Sequence, residues 1–303
     1  MARIKRNATY SLSIEEAVDS YLSHAKNKNL SEATIDTYQR HLRWLYMLMD
    51  EMPVSQLTIN DLERMFEEFK ETHEYSIRSE NNFRRYVNGW LRWLKLEGLI
   101  DKEIRLPYKK DTKRIQPVPT NGEMKRLLVK PNLNECTYNH YACYVIINII
   151  ASTGLRIRSI ANIKKKHIDF QNSTILITAM KNRREQKVMI NRKLKVVLKE
   201  FLASVDCDSE YLFVDKYNKP FNEKTLSMNV IRYCRSHNIE SSAHAIRRWY
   251  AVSFMEAGGS IYTLSKALGH SDIQTTQLYL SSCGTENFKD ELSALNPLDN
   301  LKG

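Results

Sequence analysis

Four times within its first hundred residues the chain repeats one pattern: a polar break, then apolar side chains returning every three or four positions. An α-helix lays residues so spaced on one face, and each such stripe needs a partner to cover it. Ser13 and Glu16 form a capping box ahead of Ile14, Ala17, Val18, Tyr21 and Leu22. A second helix starts near Ser31 and carries Ile35, Tyr38, Leu42 and Leu45, and Thr58 with Asp61 caps a third carrying Leu62, Met65, Phe66 and Phe69. The fourth puts Phe83, Tyr86, Val87, Trp90, Leu91 and Leu94 on one face, with Gly98 as its stop. Four amphipathic helices predict a small bundle over residues 1–106.

Residues 107–119 break this pattern. Three prolines and five charges without periodicity predict an extended linker. Thr120 and Glu123 then repeat the capping box and open a second domain, residues 120–303. Within it the apolar run from Tyr141 to Ala151 is too short to span a bilayer and predicts a buried core helix. One strand pair follows, Ser173 to Thr178 and Lys187 to Ile190. Its connection, Lys181-Asn182-Arg183-Arg184-Glu185-Gln186, is strongly basic where a hairpin turn favours Asn-Gly or Asp-Gly. By itself that connection reads as a solvated charged turn. The expected fold class is mainly α with a small β component, the second domain being mixed α/β.

Charge narrows the choice of partner. The 303 residues hold 46 Lys+Arg against 35 Asp+Glu, a formal charge of +11, as expected of a surface that faces a polyanion such as nucleic acid. Solubility or anionic lipid could call for the same excess, so the charge needs independent support. Five widely spaced cysteines without a C-x-x-C pair indicate neither a disulfide framework nor a zinc site, and fit a reducing cytosol. No apolar segment follows the charged Met1-Ala2-Arg3-Ile4-Lys5-Arg6, which argues against a secretory signal. The sequence lacks H-E-x-x-H, an EF-hand loop, G-x-x-x-x-G-K-[ST] and G-x-G-x-x-G, which disfavours metal hydrolysis at such sites and ATP-driven chemistry.

Three clusters stand out in the second domain: Thr153-Gly154-Leu155-Arg156, His244-Ala245-Ile246-Arg247, and Leu268-Gly269-His270 with Tyr279 nine residues later. With the basic turn, and in this order, they resemble the tyrosine recombinase family, which includes phage integrases and the Xer chromosome-resolution enzymes. The resemblance spans the second domain, and the four-helix first domain looks like the family's core-binding (SAM-like) domain.

The chemistry gives a reason for these residue types. Displacing a phosphodiester oxygen without metal requires protein cations at the phosphoryl oxygens, and arginine stays charged and binds bidentately. Arg156 follows the end of the apolar helix, and His244 and Arg247 share a helical face, so the two arginines could grip one phosphate from two sides. A tyrosine hydroxyl, pKa near 10, is ionised in only about one molecule in a thousand at neutral pH, so Tyr279 needs a base. The resemblance implies that Tyr279 is the nucleophile, that His244 takes its proton, that Lys181 protonates the departing 5′ oxygen and that His270 bonds a phosphoryl oxygen. Lys187, Lys164, Lys165 and Lys166 compete with Lys181 for its role. No cofactor and no metal are implied.

Two positions depart from the family pattern: Ser159 where an acid usually buttresses the first arginine, and Arg248 where histidine is common. In the tail, residues 280–303, Phe288, Leu292 and Leu295 suggest a short amphipathic helix that folds back in cis or, by family precedent, docks in a neighbouring protomer. Only about a dozen residues precede Ser13, leaving no room for a further arm-binding domain. The function implied is site-specific DNA recombination through a 3′-phosphotyrosyl intermediate and a four-way junction, without ATP. A homo-tetramer on two duplex DNA sites with paired binding arms follows, in the cytoplasm, with no membrane. A mobile-element integrase is favoured over an Xer-type dimer resolvase. Rivals are a topoisomerase-like or telomere-hairpin enzyme and a non-catalytic DNA-binding protein of the same fold.

Overall fold

A computed structural model describes residues 12–49, 52–111, 117–178, 185–269 and 276–277. The chain divides into two compact units, Met1–Lys113 and Arg114–Gly303. The first is built from α1 (Ile14–Asn27), α2 (Glu32–Met49), α3 (Ile59–Thr72) and α4 (Ile77–Leu96). The expected capping box forms at Ser13 with Glu16, and the Thr58 and Asp61 cap is a second one, so at each helix start the N-cap and N3 N–H groups are satisfied by side chains. The stripes meet around Trp90, which is fully buried and donates its indole N–H to Ala17 O at 3.4 Å. Past α4, Gly98 takes the left-handed conformation, φ 73°, and ends the helix.

One feature of α4 has no counterpart in an apolar stripe. Asn81, Arg84 and Asn88, at helical spacing, form a second, polar face that holds the extended segment after the helix. Asn88 accepts from Leu106 N at 2.8 Å and donates to Leu106 O at 3.0 Å, and Asn81 does the same for Lys109 at 2.8 Å and 2.8 Å. Between them Arg84, 0% exposed, forks onto both Glu63 oxygens at 2.6 Å and 2.6 Å, reaches Glu80 Oε1 at 2.8 Å, and lies over the Phe66 ring. Lys109 completes the cluster at 2.9 Å from Glu80.

The second unit contains α5 (Asn121–Leu127), α6 (Tyr138–Thr153), α7 (Ile157–Ala161), a sheet of β1 (Ile168–Asp169), β2 (Thr174–Ile177) and β3 (Gln186–Met189), then α8 (Arg192–Ser204), α9 (Glu223–Ser236), α10 (Ala243–Glu256) and α11 (Ile261–Ala267). The strand pair expected from sequence is β2 and β3, antiparallel with Ile175 opposite Val188 and Ile177 opposite Gln186. A two-residue first strand, too short to leave a period-2 signature, pairs on its other side. The apolar run is α6, surrounded by α8, α9 and α10 and buried on nearly every side. Among the described residues no helix is long and apolar enough to cross a membrane.

The end of α6 is set by Gly154, whose φ of 65° suits glycine and whose N–H caps Ile150 O at 2.8 Å. A Cβ here would lie 2.5 Å from the Tyr250 ring of α10 and 2.6 Å from Leu268, so the helix ends where two other elements close over it.

Two stability predictions follow from these geometries. Arg84→Leu leaves buried Glu80 with Lys109 alone as its cation and takes the forked partner from half-buried Glu63, and is expected to cost about 3 kcal/mol in urea unfolding, while Arg85→Leu on the exposed face stays within about 0.5 kcal/mol. Gly154→Ala combines a left-handed backbone penalty with overpacking, about 2–4 kcal/mol. Gly98→Ala, with φ 73° but nothing within 4 Å of the added carbon, costs only about 1 kcal/mol. Equal losses at the two glycines would contradict the packing described for Gly154.

Candidate active site

The first cluster lies at the turn between α6 and α7. Gly154 reverses the chain, Leu155 is buried, and Arg156 takes the N-cap position of α7 in extended conformation with its side chain half-buried. Ser159, one turn on, is buried. The second cluster opens α10. Ser242 caps it, accepting from Ala245 N at 3.2 Å, so His244 occupies the first turn, where the helix dipole is positive. The His244 side chain is exposed, and Arg247, three residues along, is only 2% exposed.

Arg247 joins the clusters. Its Nη1 donates to Gly154 O at the end of α6, and its Nη2 donates to Leu268 O, 3.1 Å away, at the end of α11. The guanidinium thus lies inside the protein and fastens two helix C-termini to α10. His244 sits in the field of this arrangement: partial desolvation, then the charges of Arg248, Arg247 and Arg156, hold its pKa below the ordinary histidine value. Arg156, His244 and Arg247 are therefore brought together, although nearly ninety positions separate the first from the other two. Arg248 donates to Pro117 O at 2.9 Å and Trp249 to Asn121 Oδ1 at 2.8 Å, which ties the start of this unit to α10.

Lys181, His270 and Tyr279 lie outside the described residues, as do Phe288, Leu292 and Leu295. Of the lysines that compete with Lys181, Lys164 bonds Glu210 at 2.7 Å and Lys165 bonds Cys207 O, while Lys166 and Lys187 are exposed. An open cavity of about 660 Å3 lies beside the cluster, lined by Thr153, Gln186, Tyr250 and Lys266 among others. Gln186 was missed by the sequence reading. Its one signal is a polar residue at the same strand parity as buried Val188 and opposite buried Ile177.

The phage integrase family model matches residues 119–284, more than half of the chain. The chain is 28% identical over 233 residues to tyrosine recombinase XerA of Pyrococcus furiosus, covering 76% of this chain and 78% of the relative. Its fold is similar to that of the Tn1549 transposon integrase solved with circular intermediate DNA, with a TM-score of 0.78 and 17% identity over 94% of this chain and all of the other. It is also similar to the lambda integrase tetramer solved on a Holliday junction, with a TM-score of 0.73 and 14% identity over 92% and 81% of the two chains. With its glycine-arginine turn and its His-x-x-Arg helix gathered around one buried guanidinium, the chain belongs to the phage integrase family of tyrosine recombinases, enzymes that break and rejoin DNA.

Proposed function

We propose that this chain exchanges strands between two duplex DNA sites through a covalent bond from Tyr279 to the scissile phosphate. The observation that carries the reading is the convergence of Arg156, Arg247 and Arg248 on the ring of His244. A phosphate there meets positive potential from several sides, beside a histidine whose pKa is lowered by desolvation and then by the same charges.

The Tyr279 oxygen forms its bond to phosphorus as the bond from phosphorus to the 5′ oxygen breaks, leaving a 3′-phosphotyrosyl link. His244 takes the tyrosine proton, Lys181 gives a proton to the departing oxygen, and Arg156 and His270 bond the phosphoryl oxygens. Arg247 acts from beneath, holding Gly154 and Leu268 while its charge reaches the site. A 5′ hydroxyl from a partner duplex reverses the attack, and two rounds pass through a four-way junction. Four protomers on two paired-arm sites are proposed, an assembly that the lambda integrase tetramer on its Holliday junction supports as a precedent. The first unit serves as the core-binding domain, residues 107–119 as the linker and residues 280–303 as a tail docking in trans. No cofactor is required, and the enzyme works on DNA in the cytoplasm.

For the biological setting we propose a mobile-element integrase. The similarity to XerA favours a second reading, resolution of chromosome or plasmid dimers. Sequencing the DNA trapped on the protein decides: element ends support the first and a single replicon site the second.

A nicked duplex carrying the trapped site should give an SDS-resistant adduct with the wild type and none with Tyr279→Phe. Equal yields would refute the nucleophile. Because His244 must be neutral to accept a proton, and its pKa is held below 6.5, the second-order rate of adduct formation should rise with pH through a midpoint below 6.5 and be flat near neutrality. Arg248→Ala removes the largest charge contribution and should move that midpoint upward. A midpoint that stays in place contradicts His244 as the base.

A further inference from the structure

Three consecutive carbonyls at the end of α11 accept from other elements of the second unit. Gln186 Nε2 donates to Lys266 O at 3.0 Å and to Ala267 O at 3.3 Å. Arg247 Nη2 donates to the next, Leu268 O, at 3.1 Å. A helix of seven residues has little stability of its own, so what holds its last turn decides where that turn lies. Lys266 O also accepts from Gly269 N at 3.1 Å, a bond within the turn that closes it without placing it. Leu264 and Leu268 pack with Ala251 of α10 in a small cluster, an apolar contact with no direction of its own. Gln186, half-buried on the inward parity of β3 with Val188, supplies a directional tie from the sheet. An aliphatic side chain there would pack but could not donate.

Ala267 O and Leu268 O are neighbours on one backbone, so holding the first holds the second. Arg247 is 2% exposed and bonds Gly154 O as well as Leu268 O, and a buried guanidinium responds to the loss of an acceptor by moving. We infer that Gln186 is a positioning residue for Arg247, pinning the last turn of α11 so that Leu268 O stays within reach of the guanidinium and the charge stays where His244 meets it. The inference rests on the reading that Arg247 and His244 serve the cleavage step. Gln186 touches no reacting atom. It acts through three links: from its amide to Ala267 O, along one peptide unit to Leu268 O, and from there to Arg247, whose charge reaches the His244 ring.

The test uses the full chain and a nicked duplex bearing the trapped site, with adduct formed in a single turnover at saturating DNA. Gln186→Met matches the length and removes the donors. It should slow adduct formation about tenfold, less than the roughly hundredfold that a misplacement of about 1 Å can bring. DNA affinity should stay within about twofold of wild type and the melting temperature close to it. Gln186→Arg, which keeps long N–H donors beside the open cavity, should recover most of the rate, and the donor-free isostere Gln186→Glu should not. In an Arg247→Lys background, where a single nitrogen replaces the fork, Gln186→Met should slow the reaction no more than about twofold further, because the group it acts through is gone. A loss of fold stability alone would multiply in both backgrounds. A second measurement needs no Arg247 variant: with isotopically labelled arginine, Gln186→Met should speed rotation of the Arg247 Nη groups and leave those of buried Arg84 in the first unit unchanged. A wild-type rate for Gln186→Met, an undiminished loss in the Arg247→Lys background, or Arg247 signals identical to wild type overturns the inference. If folded Arg247→Lys cleaves as fast as wild type, the reading of Arg247 falls and takes the inference with it; if it is slow while Gln186→Met is not, the inference alone falls.

Discussion

The second unit depends on one buried cation. A guanidinium withdrawn from water costs several kcal/mol unless its N–H groups find acceptors, and Arg247 finds carbonyl oxygens at the C-terminal ends of two helices, Gly154 O of the α6 turn and Leu268 O of the α11 turn. Those ends carry the partial negative charge of the helix dipole, so the site suits a cation before any ligand arrives. The same bonds fix the two turns themselves. In sequence, Arg156 is two residues beyond Gly154 and His270 two residues beyond Leu268, so the arginine that holds the fold anchors the points after which both proposed phosphate ligands follow.

The two units solve a similar problem with opposite electrostatic results. Arg84 is surrounded by Glu63 and Glu80, which neutralise it and leave a structural clamp between α3, α4 and the following segment. Arg247 is bonded to carbonyl dipoles, and its charge is still felt at the His244 ring alongside those of Arg248 and Arg156. A carboxylate cage suits stability; a dipole cage preserves positive potential for an anionic substrate.

Much of this was legible in the sequence because it is local. The Ser13, Thr58 and Thr120 capping boxes, the Gly98 stop and the α6 core helix each follow from neighbours a few positions apart. So do the Gly154 turn and the placing of His244 in the first turn of α10. What escaped involves polar side chains whose partners are distant in sequence. The Asn81, Arg84 and Asn88 face of α4 reads as an ordinary solvated stripe until Leu106 to Lys109 is laid along it. Gln186 looked like the end of a charged turn because its partners lie eighty residues away. Arg247 was expected from its motif and its chemistry to grip a phosphate, and the backbone carbonyls that hold it in place are recorded by no motif.

The central claim is that this buried frame serves a tyrosine that becomes covalently bound to DNA. The most direct measurement is mass spectrometry of the trapped complex after nuclease trimming and trypsin digestion. The nucleotide should remain on the peptide spanning residues 267–289, which contains Tyr279 as its single tyrosine, with fragmentation placing a 3′ phosphate on that residue. A nucleotide on another peptide, or on another side chain of this one, would contradict the account.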